Sequence, residues 1–269
     1  MTQPLGRLTR LGFGALRPLL LAALSRDSPA DELLPVLKQA ERFLLLVRSF
    51  AGTRADVAEA ESYRLAHDLH NGNQTLANAA TMLANRVNRH FSKAAFQTEI
   101  EGLFAEGGRG FYELSTLRFL LFEYEESLRI RAKSPAAKLS WDDFRGARNS
   151  VEHIYPQTPE PAAWPLFINL AADQQRFLMH SLGNLVAVSV AKNAALSRST
   201  FAAKKKGTDK IPGFSQGSFS ELEIANYPEW TPSTILERGK AMLRFIEERW
   251  DVQLGDEEEK KALLNLRFL

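Results

Sequence analysis

Over the first half of the chain, apolar residues recur at helical spacing. Leu33, Leu37, Ala40, Phe43, Leu44, Val47 and Phe50 fall three or four positions apart and define one buried stripe. Ser28-Pro29-Ala30-Asp31 supplies its start signal: a hydroxyl cap, proline at the first helical position and an acid in the first turn. Pro35 removes a donor, which predicts a kinked or offset first turn. A second helix is predicted over 57–70, stopping at Asn71-Gly72, two residues that tolerate a left-handed terminus. Thr75 is placed as the cap of a third, with Leu76, Ala79, Leu83, Val87 and Phe91 inward. A fourth runs over 92–105 to the Gly107-Gly108 pair. The last, over 114–132, is rich in Leu and Phe and is placed at the centre of the bundle. No fixed-period repeat emerges.

After Trp141 the pattern changes. Residues 150–156 are β-branched and aromatic and end in Pro156, as a strand leaving its sheet would. A proline-rich loop over 156–165 precedes a helical stretch over 166–180. Residues 183–190 read as a second strand, and 191–206 as a helix closing with three lysines, which suit a helix C-terminus. Beyond a loop rich in Gly, Ser and Phe, Thr231-Pro232 opens a final long helix with Ile235, Leu236, Met242, Leu243, Ile246 and Trp250 inward. An acidic run, 256–259, precedes a short apolar tail.

Composition narrows the function classes. With 45% hydrophobic and 25% charged residues in 269, the chain reads as globular. It has no cysteine, which excludes disulfides, cysteine nucleophiles, iron–sulfur clusters and thiolate zinc sites, and fits a cytoplasmic setting. The apolar stretch 11–24 is too short to span a membrane and carries Arg17 in its middle. Arg17 also interrupts what would be the apolar region of a secretory signal after Arg7 and Arg10. The formal net charge of +2 announces no nucleic-acid partner. Its distribution says more, because residues 146–210 hold eight basic against four acidic side chains, with most of the excess between Lys192 and Lys210. Side chains there, among them Arg198, Lys204, Lys205 and Lys206, are placed to meet phosphates, although a lysine cluster alone reads more simply as a solvated helix end.

Chemistry can be built around Glu152-His153 at the first strand and Asn193 on the helix after the second. Glu152 would offer a hard oxygen to a magnesium ion and Asn193 a second, neutral one. His153, with a pKa near neutrality, would take a proton from water attacking a phosphodiester. In a regular strand Glu152 and His153 point to opposite faces, so both serve one site only if the strand ends or twists there, as Pro156 allows.

The combination Glu152-His153-Ile154-Tyr155-Pro156-Gln157, His180-Ser181-Leu182-Gly183-Asn184-Leu185, Lys192-Asn193, Phe201 and Lys204-Lys205 resembles the HNH (ββα-metal, His-Me finger) nucleases. More narrowly it is similar to the C-terminal domain of GmrSD-type, modification-dependent (type IV) restriction enzymes. The motifs cover about 148–206, and a weaker resemblance through Trp230, Ile235, Arg238 and Trp250 extends into the final helix. The helices before residue 145 resemble the linker that precedes this domain in those enzymes.

The resemblance implies a mainly α fold: a helical bundle over 1–145, a ββα-metal core of two-stranded hairpin plus helix over 146–210, and a C-terminal loop and helices over 211–269 packing on that core. It implies His153 as general base, Glu152 in the place of the acidic metal ligand (often aspartate in the family), Asn193 as the helix residue completing the metal site, and Asn184 as a structural asparagine linking strand and loop. It further implies Mg²⁺ or Mn²⁺, DNA as substrate (modified phage DNA included), and a nucleotide-dependent sensor domain or split subunit. This sequence has no Gly-rich phosphate loop for such a domain. Rival readings are a non-catalytic nucleic-acid-binding or protein-docking module, and an RNase of the same fold.

Other residues carry simpler readings. His180 is a possible member of the site, but is read first as ending its helix and capping carbonyls. His67, Asp68 and His70 are read as exposed helix residues for want of a third ligand cluster. Trp164, Trp230 and Trp250 are read as core.

Overall fold

The computed structural model describes residues 2–54, 56, 57, 59–135 and 140–269. The fold is mainly α, with one two-stranded antiparallel sheet, and divides into two compact units, 1–99 and 100–269. This contact division falls within the stretch 1–145 read as one helical bundle.

The first unit holds α1 (Thr2–Leu11), α2 (Arg17–Leu24), α3 (Ala30–Arg42), α4 (Glu59–His70), α5 (Leu76–His90) and the start of α6 (Lys93–Phe104). α2 packs on α4 and α3 on α5. The stripe expected from Leu33 to Phe50 is buried throughout. After Arg42, however, the helix widens to a π-helical segment, Phe43–Phe50, and Leu45 and Leu46 are buried as well. With Phe43 to Val47 all apolar, no polar face defines an α-helical period there. The start at Ser28 is displaced: α3 begins at Ala30 off the Pro29 carbonyl and has no side-chain cap. Pro35 lies inside the helix. Thr75 caps α5 through the Asn78 N–H at 3.1 Å, and Gly72 ends the α4 region in the left-handed conformation.

The second unit continues with α7 (Leu117–Arg131), α8 (Trp141–Ala147), β1 (Ser150–His153), α9 (Ala172–His180), β2 (Leu185–Val188), α10 (Val190–Leu196), α11 (Phe201–Lys206), α12 (Phe219–Ala225), α13 (Pro232–Trp250) and α14 (Glu257–Leu263). β1 and β2 pair from Ser150↔Val188 to His153↔Leu185. α7, placed by its sequence in the N-terminal bundle, instead packs against β2 and α12. Every residue of β2 is buried.

Three segments depart from the periodicity. The stretch 166–180 opens with a 3-10 turn, Pro165–Phe167, and becomes α-helical only at Ala172, where the Gln174 side chain accepts the Ala171 N–H; Leu166 and Ile168 stay exposed. The second strand starts at Leu185 because a Cβ at Gly183 would collide with Ile235 O and Gly239 N of α13; the tight Leu182–Asn184 turn lies against that helix. The single helix expected over 191–206 is two. Ser197 takes a positive φ, and Thr200 caps a fresh start through the Ala203 N–H. That break points α10 and α11 in their own directions beside the sheet.

Candidate active site

β1 ends at His153, and the backbone beyond it is fixed by one carboxamide. Asn184 Oδ1 accepts from Tyr155 N (2.8 Å) and Trp230 Nε1 (3.0 Å), while its Nδ2 donates to Tyr155 O (2.9 Å) and Met179 O (2.8 Å). The side chain is fully buried, so these bonds tie the segment just after β1, the end of α9 and the segment just before α13 at one point.

Because the strand stops there, Glu152 and His153 line the same cleft. It measures about 170 Å³ and is completed by Pro156, Gln157, Thr158, Asn193, Ser197 and Arg198. Asn193 Nδ2 donates to Ser150 Oγ (2.6 Å) and Val151 O (3.1 Å), which turns the first turn of α10 onto the sheet.

His153 is 3% exposed, and both its ring nitrogens are engaged: Nε2 with His180 Nδ1 at 3.0 Å, and Nδ1 with the Gln157 amide at 3.2 Å. With Gln157 donating to Nδ1, His153 carries its proton on Nε2 and donates it to His180. The Tyr112 ring packs against His153 with centroids 4.6 Å apart. Burial above all, then the charges of Lys204 and Arg109 and the neighbouring His180, holds the His153 pKa down at about 3. Burial and the guanidinium groups of Arg109 and Arg176 hold His180 at about 4. Both rings are neutral at neutral pH, but for His153 this departs from the near-neutral pKa expected of it: burial leaves the ring unprotonated and a weak base.

Glu152 is buried and forms an ion pair with Lys204, whose Nζ also donates to His153 O at 3.0 Å. Burial pushes the Glu152 carboxyl up to about 7 against the pull of that ammonium.

Several expected roles change with these positions. Lys204 is not a surface phosphate contact, because its side chain is fully buried on Glu152. Lys205 donates to Tyr227 O at 2.9 Å and lies over the Phe201 ring; Lys206 alone of the three is exposed. Consecutive residues of a helix face different directions, so the lysine run is not one basic face. Arg198 is exposed at the cleft, paired with Glu160 at 2.9 Å. His180 ends α9 as read, but its ring turns to His153 and does not cap carbonyls. Trp164, Trp230 and Trp250 are core, and His67 and His70 are exposed.

Sequence reading gave no role to Gln157, Tyr112 or Arg109, and missed the Glu152–Lys204 pair. Only the last left a signal: Phe201 and Lys204 are three apart on one helix, and both are buried.

Among the described residues, no three His, Cys, Asp or Glu side chains come together to hold a metal. No described helix is long and apolar enough to cross a membrane. A search of curated proteins and a search of solved structures each found no match. A family model, the C-terminal domain of GmrSD restriction endonucleases, matches residues 104–245, which contain every residue of the cleft. The chain belongs to the family of GmrSD restriction endonuclease C-terminal domains.

Proposed function

We propose that the 100–269 unit is an HNH-type endonuclease module that hydrolyses DNA phosphodiesters with the help of Mg²⁺ or Mn²⁺. The observation that carries this reading is the convergence of Glu152, His153, Asn193 and Arg198, from β1, α10 and the break before α11, on one cleft. Family membership supports the nuclease class and a role in restriction.

The donor set fits a hard, hydrated cation. Glu152 Oε2 and Asn193 Oδ1 have no hydrogen bond among the described residues, and both are oxygens, the type that magnesium takes. Mg²⁺ keeps several waters and needs only one or two protein ligands, which Glu152 and Asn193 would supply. Glu152 and Asn193 would hold the ion, which supplies electrostatic stabilisation of the leaving oxygen. His153, neutral and oriented by His180 and Gln157, accepts the proton of the attacking water at Nδ1 once the Gln157 amide gives way. Arg198 holds a phosphate at the mouth after exchanging Glu160 for it. The DNA, modified phage DNA included, would be delivered by a nucleotide-dependent sensor domain or subunit.

A second reading, a non-catalytic nucleic-acid-binding module, is favoured by the Glu152–Lys204 pair and by the occupied nitrogens of His153. The test is nicking of supercoiled plasmid, with RNA in parallel, in Mg²⁺ or Mn²⁺. The proposal expects DNA cleavage that EDTA, His153→Ala and Asn193→Ala each abolish. Cleavage of RNA alone reassigns the substrate, and absence of cleavage with a folded protein and its sensor partner leaves the binding-module reading.

A further inference from the structure

A second cleft, about 350 Å³, opens at the other end of β1, lined by Tyr112, Ser115, Arg118, Asn149, Ser150 and Val151 among others. Its cation is uncompensated. Arg109, Arg148, Arg176 and Arg198 each meet a carboxylate. Arg118 instead gives one hydrogen bond, from NH2 to Arg148 O at 2.7 Å, and has no acidic partner among the described residues. Burial and the neighbouring Arg145 guanidinium both push its pKa down, with no carboxylate opposing them. A half-buried guanidinium at a cleft with no carboxylate partner is an arrangement that an anion relieves.

The remaining groups suit the same ligand. Ser115 is exposed and offers a hydroxyl, and Asn149 offers its Nδ2 while Oδ1 holds Val190 N. Arg118 lies in the first turn of the fifteen-residue α7, which carries no acid there, so the helix end adds positive potential.

This cleft is joined to the first one. Ser150 lines the second cleft, Asn193 lines the first, and their side chains are hydrogen-bonded at 2.6 Å. From Ser150 to His153 is about 10 Å along a strand. The rise of about 3.4 Å per nucleotide is measured along the helix axis, and neighbouring phosphates of one strand lie roughly twice that far apart in space, so this span covers one or two nucleotides.

We propose that the Arg118 cleft binds a backbone phosphate of the same DNA strand that is held at His153, about one or two nucleotides from the scissile bond. The inference rests on the nucleic-acid reading above and adds to it a second anchoring point, which fixes the direction of the strand along β1. Phosphate contacts of this kind set register and carry no base preference.

The test is anisotropy of a fluorescein-labelled DNA duplex with the full chain in EDTA, which prevents cutting, across a salt series. Arg118→Gln is expected to weaken binding about tenfold and to lower the slope of log K against log salt by about 0.9. Arg118→Lys keeps the slope. Ser115→Asp, at an exposed position, puts a carboxylate in the cleft and weakens binding at least as much, so the inference stays testable if Arg118→Gln does not fold. Folded variants that bind with the wild-type affinity and slope overturn it, and so does a wild-type chain that binds no DNA. Arg118-dependent binding without any metal-dependent cleavage removes the nuclease reading and leaves this site standing.

Discussion

Asn184 and Asn193 are nine residues apart, and the regions around them follow opposite rules. Asn184 is buried with its carboxamide saturated by four hydrogen bonds, and everything it touches is backbone or core. Asn193 is half-exposed, uses only its Nδ2, and keeps Oδ1 in a cleft with Glu152 and His153. The same residue type therefore braces one region and leaves spare bonding capacity in the other. Saturation, more than residue type, separates the framework from the chemistry. The Glu152–Lys204 pair lies between the two: a framework contact made by a side chain that also lines the cleft.

The comparison breaks most sharply at that pair. Lys204→Met leaves a buried carboxylate alone and is expected to cost about 3–5 kcal/mol in urea unfolding, whereas adding Glu152→Gln restores most of it. Additive losses in the double variant would mean that the two side chains do not act as a pair.

Asn184→Ala comes next. It orphans the Tyr155 and Trp230 N–H groups, each worth about 1–3 kcal/mol when buried, so a loss of about 2–4 kcal/mol is expected by the same measurement. Asn193→Ala is expected to cost less than about 1 kcal/mol, since Ser150 Oγ lies near solvent. Equal costs would erase the distinction between framework and cleft.

The effect of pH falls between these two. His180 lies at about 4 in the fold and near 6.5 when unfolded. A histidine depressed in this way contributes its full stability above 6.5 and loses it as pH falls toward 4. The His180 contribution is expected to drop by about 1–2 kcal/mol between pH 7 and pH 5, with His153 adding to the loss and Glu152, raised to about 7, opposing it. His180→Asn keeps a polar group near the Nδ1 position and should reduce that slope. An unchanged slope would place the titration elsewhere.

Much of this was legible in the sequence, for local reasons. Thr75, Thr231-Pro232 and the glycine stops are one-turn signals, and Pro156 marks the exit from β1. The π-helical turn was not legible, because an all-apolar run carries no period to read. The break at Ser197 was hidden by alanine-rich helix formers on either side; Ser199-Thr200 was the available hint. At the site, motif spacing located Glu152, His153, Asn184 and Asn193. Their partners were out of reach: Lys204 is 52 residues from Glu152 and His180 is 27 from His153, distances that only the tertiary fold closes. Charge counted along the chain also misled, since a lysine run scored as basic surface holds one buried and one tethered ammonium.

The unsaturated cleft is expected to perform chemistry. Its most direct measurement is the nicking rate of supercoiled plasmid in Mg²⁺ and Mn²⁺ for the wild type and for His153→Ala, each with an unfolding curve taken alongside. Metal-dependent nicking is expected, falling by about two to four orders of magnitude in the variant while the fold is retained. Equal rates for two folded proteins, or nicking that persists in EDTA, would contradict it.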